Sequence, residues 1–577
     1  MAIGHARMAL PPDVPRLDVA ARIAYRAGFW AALDQGRAKP FVLPYSIFAG
    51  FILPLIWLSI PHTKRPWLYQ TRWPLMAYII YFNVNVMLTR SSTNFGCSYA
   101  AGLTAAWGIV LSMNLLFWQR PQWNAARIIR VRKKTAAASS NVKDSQDAAT
   151  TRRTRTTATP TTTTTITTTT ATTVTSGLEK PHINGNGHSQ LRKGAPFSLS
   201  VQDIKLEHSP PSQQEYEYRW QTFPADAPFV DRMFWVADLM ISFRGAGWNH
   251  SITSIPRPRI PKPVQPNSLV DVNSIPQRTV SGYAHPRTDA DFFRIRLLTL
   301  LGTYFLLDLI AIIMMSDPFW IVGPDVSHEL PASLQRLPPW ALMICREVIS
   351  IIAIWAAILA FFSLSDVVQF CIAKVFFPAR ALLWNYPSVF GSLSEIPERG
   401  LSGFWGSWWH QSFRLDFLGP STYLLNNGHV KKGTLTADLV GLFVSFFQSG
   451  LIHAAGSVST VPLTRPLRSF WFFMLQGLGV LVQGWLAGAL RAHGPPIPRP
   501  VRRATNVLVT LAWLIATAPL FLKDVASAGL WLLEPVPISP LRYMGYGFPD
   551  DHWWRWERDF WPKVYPAQHW YEVGISL

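Results

Sequence analysis

Apolar residues in this chain gather into runs of bilayer length, set apart by basic or proline-rich segments. A membrane-crossing helix needs about 20 predominantly apolar residues. Such runs lie at about residues 41–60, 73–88, 97–118, 297–315, 348–372, 434–456, 470–490 and 506–522. A shorter apolar piece, 526–533, is expected to re-enter the membrane or to complete a further span. The pattern predicts an all-α polytopic membrane protein with about eight to nine transmembrane helices.

The polar interruptions refine this picture. Pro44 and Pro54 fall inside the first run, where neighbouring helices must satisfy the freed carbonyls. Asp308 interrupts the fourth run and should face the bundle interior, because a carboxylate in hydrocarbon is costly, and Asp366 lies late in the fifth. Residues 135–200 lose periodicity, and 161–170 are nearly pure threonine, a composition that buries too little apolar surface to fold. The predicted organisation is an N-terminal tail (1–40), the first transmembrane helices (41–132), a disordered Thr-rich cytosolic insert (133–205), a cytosolic segment (206–295), a membrane core (296–535) and an aromatic interfacial tail (536–577). Within the N-terminal tail, residues 19–34 could form an amphipathic helix on the membrane, with Ile23, Phe29 and Trp30 apolar, or a solvated extension.

Composition agrees with a membrane protein. Only 15% of the 577 residues are charged, and the 26 tryptophans suit aromatic belts at two membrane interfaces. The net charge of +20 does not indicate nucleic acid, because the basic residues cluster in loops beside apolar runs. Arg120, Arg127, Arg130, Arg132, Lys133 and Lys134 place their loop in the cytosol, and counting spans puts Lys374 and Arg502 there too. The N-terminal tail breaks the pattern: it carries Arg16, Arg22 and Arg26 yet falls on the lumenal side. Cys97, Cys345 and Cys371 have neither zinc-site nor disulfide spacing, and no cleaved signal peptide is evident at the N-terminus.

Chemistry concentrates between Phe404 and His453. Ser445, Ser449 and His453 are spaced four apart, so they share one face of an otherwise apolar helix. A polar stripe ending in imidazole is the pattern of a lined chamber; the alternative is a histidine bonded to a neighbouring helix. The preceding segment, Phe404-Trp405-Gly406-Ser407-Trp408-Trp409-His410, is rich in tryptophan. Upstream, Arg244-Gly245-Ala246-Gly247-Trp248-Asn249 follows Asp238, and its glycines permit tight turns. Arg244 is a candidate partner for a phosphate, or for Asp238 as a loop staple.

Together these motifs resemble the membrane-bound O-acyltransferase superfamily, which carries a Phe-aromatic-x-x-Trp-Trp-Asn/His box before a helix bearing a catalytic histidine. His410 in the last box position, and the Arg-Gly-x-Gly-Trp-Asn motif, are similar to the fungal wax-synthase-like branch. That branch often has basic residues after Phe-Trp-Gly, where this chain has Ser407. The resemblance covers about residues 41–533 outside the insert. It implies a catalytic pair, His453 and His410, with Trp405, Trp408, Trp409, Arg244, Asn249 and Ser449 near the substrates. It also implies acyl-coenzyme A, often acetyl-coenzyme A, as co-substrate with no bound cofactor, and a terpenoid or polyketide hydroxyl as lipophilic acceptor, in the endoplasmic reticulum membrane.

Acyl transfer to an alcohol requires a base for the hydroxyl proton, stabilisation of an oxyanion and exclusion of water. His453 is assigned as general base, and His410 as the group that orients the carbonyl or supports the oxyanion. No carboxylate or third histidine keeps metal-ligand spacing with the pair, so no metal is expected. A wax synthase using a long-chain alcohol is the nearest alternative. A transporter is the alternative of a different class, but the paired, broken-helix repeats of that class are not evident.

Overall fold

The computed structural model describes residues 10–133, 216–558 and 561–577. The predicted Thr-rich insert therefore lies almost wholly outside the described residues. The chain divides into one unit of Met1–Val131 with Tyr218–Leu577 and a second of Arg132–Glu217.

The first unit is dominated by helices. In chain order the principal ones are α1 (Leu17–Asp34), α2 (Arg72–Thr89), α3 (Phe95–Gln119), α4 (Phe229–Ile241), α5 (Asp289–Met314), α6 (Pro318–Val322), α7 (Pro339–Phe376), α8 (Leu435–Val458), α9 (Pro466–His493) and α10 (Arg499–Ser527). Among the described residues, α3, α5, α7, α8, α9 and α10 are long and apolar enough to cross a membrane. Their outer faces are bare hydrocarbon, for example Leu297, Leu301, Phe305 and Leu309 on α5, as lipid contact requires. The 38 residues of α7 extend about 57 Å, so both its ends project beyond a hydrocarbon core of about 30 Å.

The protein is thus an all-α polytopic membrane protein, with six helices of this kind where about eight to nine were predicted. The first predicted span is broken. Residues 42–43 are extended, Tyr45–Ile47 form a 3-10 turn, Phe48–Ile52 widen to π pitch and only Leu53–Leu58 are α-helical. Pro44 and Pro54, which lack the N–H a regular ladder needs, flank the irregular part. The second, α2, has 18 residues and carries Asn83 and Asn85. Both segments still run between the two ends of the bundle. Gln122, just after α3, donates to the carbonyls of Leu58 and Ile60, and Arg90, just after α2, donates to that of Pro40. The 526–533 piece adds no ninth crossing: α10 ends at Ser527, Gly529 turns left-handed and Leu530–Leu532 form a single 3-10 turn.

Caps explain several helix starts. Thr288 accepts from the Asp291 N–H at α5, whose first turn carries Asp289 and Asp291, and Thr434 accepts from the Ala437 N–H at α8. At the other end of α3, Arg120 is left-handed and Pro121 stops the ladder.

The basic N-terminus is paired within the fold. The arginines of α1 and its flank are paired with carboxylates of the C-terminal tail: Arg16 with Asp550 and Asp551 (both 2.9 Å), Arg22 with Glu534 (3.0 Å) and Arg26 with Glu557. Glu534 is also bonded by Arg542 and Arg555. The helix itself buries Ala21, Tyr25 and Phe29 against α6 and its neighbours, leaving Ile23 and Trp30 exposed. Three small sheets accompany the helices, the first of which joins the two ends of the chain. Val42–Leu43 pairs antiparallel with Gly574–Ser576, which pairs with Lys563–Tyr565; Lys39–Pro40 runs parallel to Arg90–Ser91; a third joins the strand beginning at Ala126 to that ending at Thr222.

Two of the intramembrane carboxylates, Asp308 and Asp366, have partners. Asp308 is fully buried and accepts from the Leu541 N–H, and Asp366 forms an ion pair with Arg296 at 2.7 Å.

Candidate active site

Helices α3 and α8 approach closely enough to be set by glycine. A Cβ on Gly102 would fall 1.9 Å from the Ala455 carbonyl oxygen, and one on Gly456 would fall 2.7 Å from the Tyr99 ring. This contact brings Tyr99 of α3 to His453 of α8. The Tyr99 hydroxyl donates to the His453 carbonyl oxygen at 3.1 Å and lies 3.4 Å from its Nδ1. With its one hydrogen committed to the carbonyl, Tyr99 meets Nδ1 as an acceptor, which favours the tautomer protonated at Nδ1 and leaves the Nε2 lone pair free. The imidazole is also stacked on Phe473 at 4.6 Å and meets the edge of Phe521 at 5.2 Å. Ser449 lies one turn earlier on α8, half-buried.

The tryptophan box folds as one turn of π helix, Phe404–Trp408. Arg414 holds it by donating to the Gly406 carbonyl and to Gln411, and Gln411 donates to the carbonyls of Trp405 and Trp409. Trp405 reaches the membrane bundle: its indole donates to Gln476 of α9 at 3.3 Å, and its ring meets Phe473, the residue stacked on His453. Gln476 is itself fixed by donating to Thr517 of α10. Trp408 and Trp409 pack against Phe390 and Phe404. Ser407, which stands where basic residues are common in the branch, accepts from Arg399 at 2.8 Å.

His410 follows the box and sits among Trp409, Phe362, Phe413 and Phe390, with ring centroids 5.5 to 6.2 Å away. Its Nδ1 is buried without a partner, so Nε2 is the nitrogen left to meet a ligand. Burial first, then the nearby charges of His453 and Arg244, push its pKa down to about 3. His410 is therefore neutral at physiological pH and offers a hydrogen bond rather than a charge. A run of ring contacts from His410 through Trp409, Trp405 and Phe473 links it to His453.

The upstream motif supports the box from behind. Arg244 is half-buried and donates to the carbonyls of Ser388 (2.6 Å) and Pro387 (3.0 Å), at the start of the segment leading to the box. Asp238 is not its partner; that carboxylate is held between Arg127 at 2.8 Å and Arg380 at 3.0 Å. Gly247 is left-handed, and a Cβ there would meet the Asn385 side chain at 2.3 Å, so only glycine fits. Asn249 accepts from the Ala126 N–H and donates to the Asn124 carbonyl, clamping the motif to the strand after α3.

Asn249-His250-Ser251 is also a glycosylation sequon. Its amide is engaged in the fold, and its loop is expected in the cytosol, so it should carry no glycan. Endoglycosidase treatment should leave the mobility of the protein unchanged. A shift abolished by Asn249→Gln would overturn that orientation.

Tyr99, Phe473, Gln476 and Phe521 were not singled out by sequence reasoning. The available signal was weak: a hydroxyl on a helix whose Ser98, Ala101, Gly102, Ala105, Ala106 and Gly108 mark a close helix contact.

Comparison with known families points to the same region. The profile of the Membrane bound O-acyl transferase family matches residues 386–475, from just before the box to α9. The chain is similar to O-Mevalon transferase macI of Penicillium terrestre, at 26% identity over 49% of this chain and 60% of that protein. It is also similar to acetyltransferase eriL of Hericium erinaceus (27%, over 29% and 42%) and to acetyltransferase ple2 of Rhodocybe pseudopiperita (24%, over 55% and 72%). The match thus spans 60% or less of the length of the first two of these. No solved structure matches. The tryptophan box, the histidine helix and the segment that matches the Membrane bound O-acyl transferase family thus lie in one place, as expected of a membrane-bound O-acyltransferase.

Proposed function

We propose that this protein transfers an acyl group, specifically acetyl, from acyl-coenzyme A to a hydroxyl of a lipophilic small molecule such as a terpenoid or polyketide. The observation that carries this reading is His453, held by Tyr99 with Nε2 free and joined to the neutral His410 through the rings of Phe473, Trp405 and Trp409. Nε2 of His453 takes the proton of the acceptor hydroxyl as its oxygen attacks the thioester carbonyl. The new C–O bond gives a tetrahedral oxyanion, to which His410 Nε2–H donates. Collapse breaks the C–S bond, and the His453 imidazolium returns the proton to the leaving thiolate, giving ester and free coenzyme A. The basic loops at Arg127, Lys374 and Arg502 face the cytosol in this reading, on the side of the soluble donor, and the endoplasmic reticulum is the proposed membrane. Three relatives named as transferases, two of them acetyltransferases, support acetyl as the group moved.

His410 tests the division of labour. Asparagine can still donate a hydrogen bond there, so His410→Asn should keep substantial turnover of labelled acyl-coenzyme A, while His410→Ala should lose roughly 100-fold or more, as for an oxyanion donor. An asparagine variant as inactive as His453→Ala would make His410 a proton carrier. Stability gives a second readout. The folded-state pKa of about 3 lies below the ordinary 6.5, so the unfolded chain takes up this proton first on acidification. The contribution of His410 to stability is therefore complete above about pH 6.5 and is lost as pH falls towards 3.

A further inference from the structure

One cavity of the bundle lies away from the histidines. It has a volume of about 370 Å³, within the range of small-molecule sites, and lies at the end of the bundle opposite the basic loops. It is formed by the N-terminal turns of α7, the loop following α6 and the C-terminal part of α10. Phe319, Met343 and Leu522 give it apolar walls, and Arg346, Glu347 and Lys523 supply its charges.

These charges are not equivalent. Arg346 is engaged: its guanidinium makes two bonds of 2.7 Å to Asp317 and lies over the Phe319 ring. Glu347 is 7% exposed, and neither of its carboxylate oxygens has a hydrogen-bond partner. Lys523 lines the same cavity without bonding to it. A buried carboxylate left without a donor is costly, and such groups are retained where a ligand supplies the missing bond.

We propose that this cavity is a binding site, separate from the histidine pair, for an apolar molecule carrying a neutral hydroxyl. A hydroxyl both donates and accepts, so it can bridge the Glu347 carboxylate and the Lys523 ammonium. An amine head would meet like charge at Lys523, and a carboxylate head would meet it at Glu347. The site backs onto the reaction centre through one helix. Leu522 and Lys523 of α10 line the cavity, while the adjacent Phe521 meets the His453 ring.

The test is saturation binding of tritiated farnesol to the full chain in lipid nanodiscs, with empty nanodiscs as the background. Farnesylamine and farnesoic acid are the competitors of opposite charge. Wild type should bind saturably, and unlabelled farnesol should displace the label at lower concentration than either charged analogue. Glu347→Leu removes an unpartnered carboxylate, so the variant should fold and melt no lower than wild type, yet its Kd should rise at least roughly tenfold, the worth of a hydrogen bond to a charged group. Lys523→Met should weaken binding in the same direction and provides a second variant. His453→Ala should retain the binding, since its side chain lies outside the cavity. Absence of saturable binding, unchanged affinity in both cavity variants, preference for either charged analogue, or loss of binding in His453→Ala alone would each overturn the proposal.

Discussion

His453→Ala should lower acyl transfer at least about 100-fold, because it removes the proton acceptor from the attacking hydroxyl. The loss should fall on kcat rather than on donor KM, since the base acts in the transition state and not in holding coenzyme A. The geometry makes the test selective. The ring of His453 stacks on Phe473 and meets Phe521, while the main-chain carbonyl of the same residue accepts the Tyr99 hydroxyl. Alanine keeps that carbonyl and the glycine contact between α3 and α8, so the variant should insert and fold. Tyr99→Phe completes the comparison. It removes the acceptor at Nδ1 but leaves the imidazole, so turnover should fall by about 2–10-fold, the worth of one ordinary hydrogen bond. A Tyr99→Phe variant as inactive as His453→Ala would give the tyrosine hydroxyl a direct part in the proton transfer.

Gly102→Ala should have the second large effect, through packing rather than chemistry. The added methyl would overlap the main chain of α8 at Ala455, and it would also lie 2.7 Å from the Ser459 hydroxyl that accepts the Gly102 N–H. Main chain cannot rotate out of the way, so the two helices must separate. Overpacking of this kind costs typically about 1–3 kcal/mol. One turn away, the bond between Tyr99 and His453 depends on the same spacing. Thermal unfolding of the detergent-solubilised variant should therefore shift downwards, with turnover falling more than tenfold. Gly302→Ala on α5 is the matched control, because nothing lies within 4 Å of its Cβ position. There, alanine should leave both activity and melting near wild type or raise the latter slightly. Equal behaviour of the two variants would show that the close contact between α3 and α8 does not set the site.

The parts of this molecule that could be read in the sequence are those governed by local composition. The apolar runs at residues 297–315, 348–372, 434–456, 470–490 and 506–522 correspond to α5, α7, α8, α9 and α10, because a bilayer demands an unbroken run of one character. The burial of Asp308 followed from the same demand. The first run could not be read in this way. Its composition is apolar enough, but prolines and tight contacts with α3 turn it into 3-10, π and α pieces in succession. The partners of the N-terminal arginines were hidden for another reason: Arg16 and Asp550 are separated by 534 residues, and no local pattern encodes such a pair. The site divides in the same manner. His453 and the tryptophan box announce themselves by residue type and spacing, whereas Tyr99 and Gln476 acquire a role only when α3, α8 and α9 pack. Arg244 shows the limit of motif reading. Its place beside glycines is compatible with a phosphate, but the folded chain directs its guanidinium to the carbonyls of Pro387 and Ser388.

Passage of an acyl group from coenzyme A to a hydroxyl at His453 is tested most directly with purified protein in lipid. The substrates are acetyl-coenzyme A labelled in the acetyl group and a panel of terpenoid and polyketide alcohols, with products resolved by mass spectrometry. Wild type should form a labelled ester, heavier than its alcohol by one acetyl group, together with free coenzyme A, and His453→Ala should form it at least about 100-fold more slowly. Ester formed at equal rates by the two proteins, or coenzyme A released by wild type with no ester from any alcohol, would contradict a general-base role for His453 in acyl transfer.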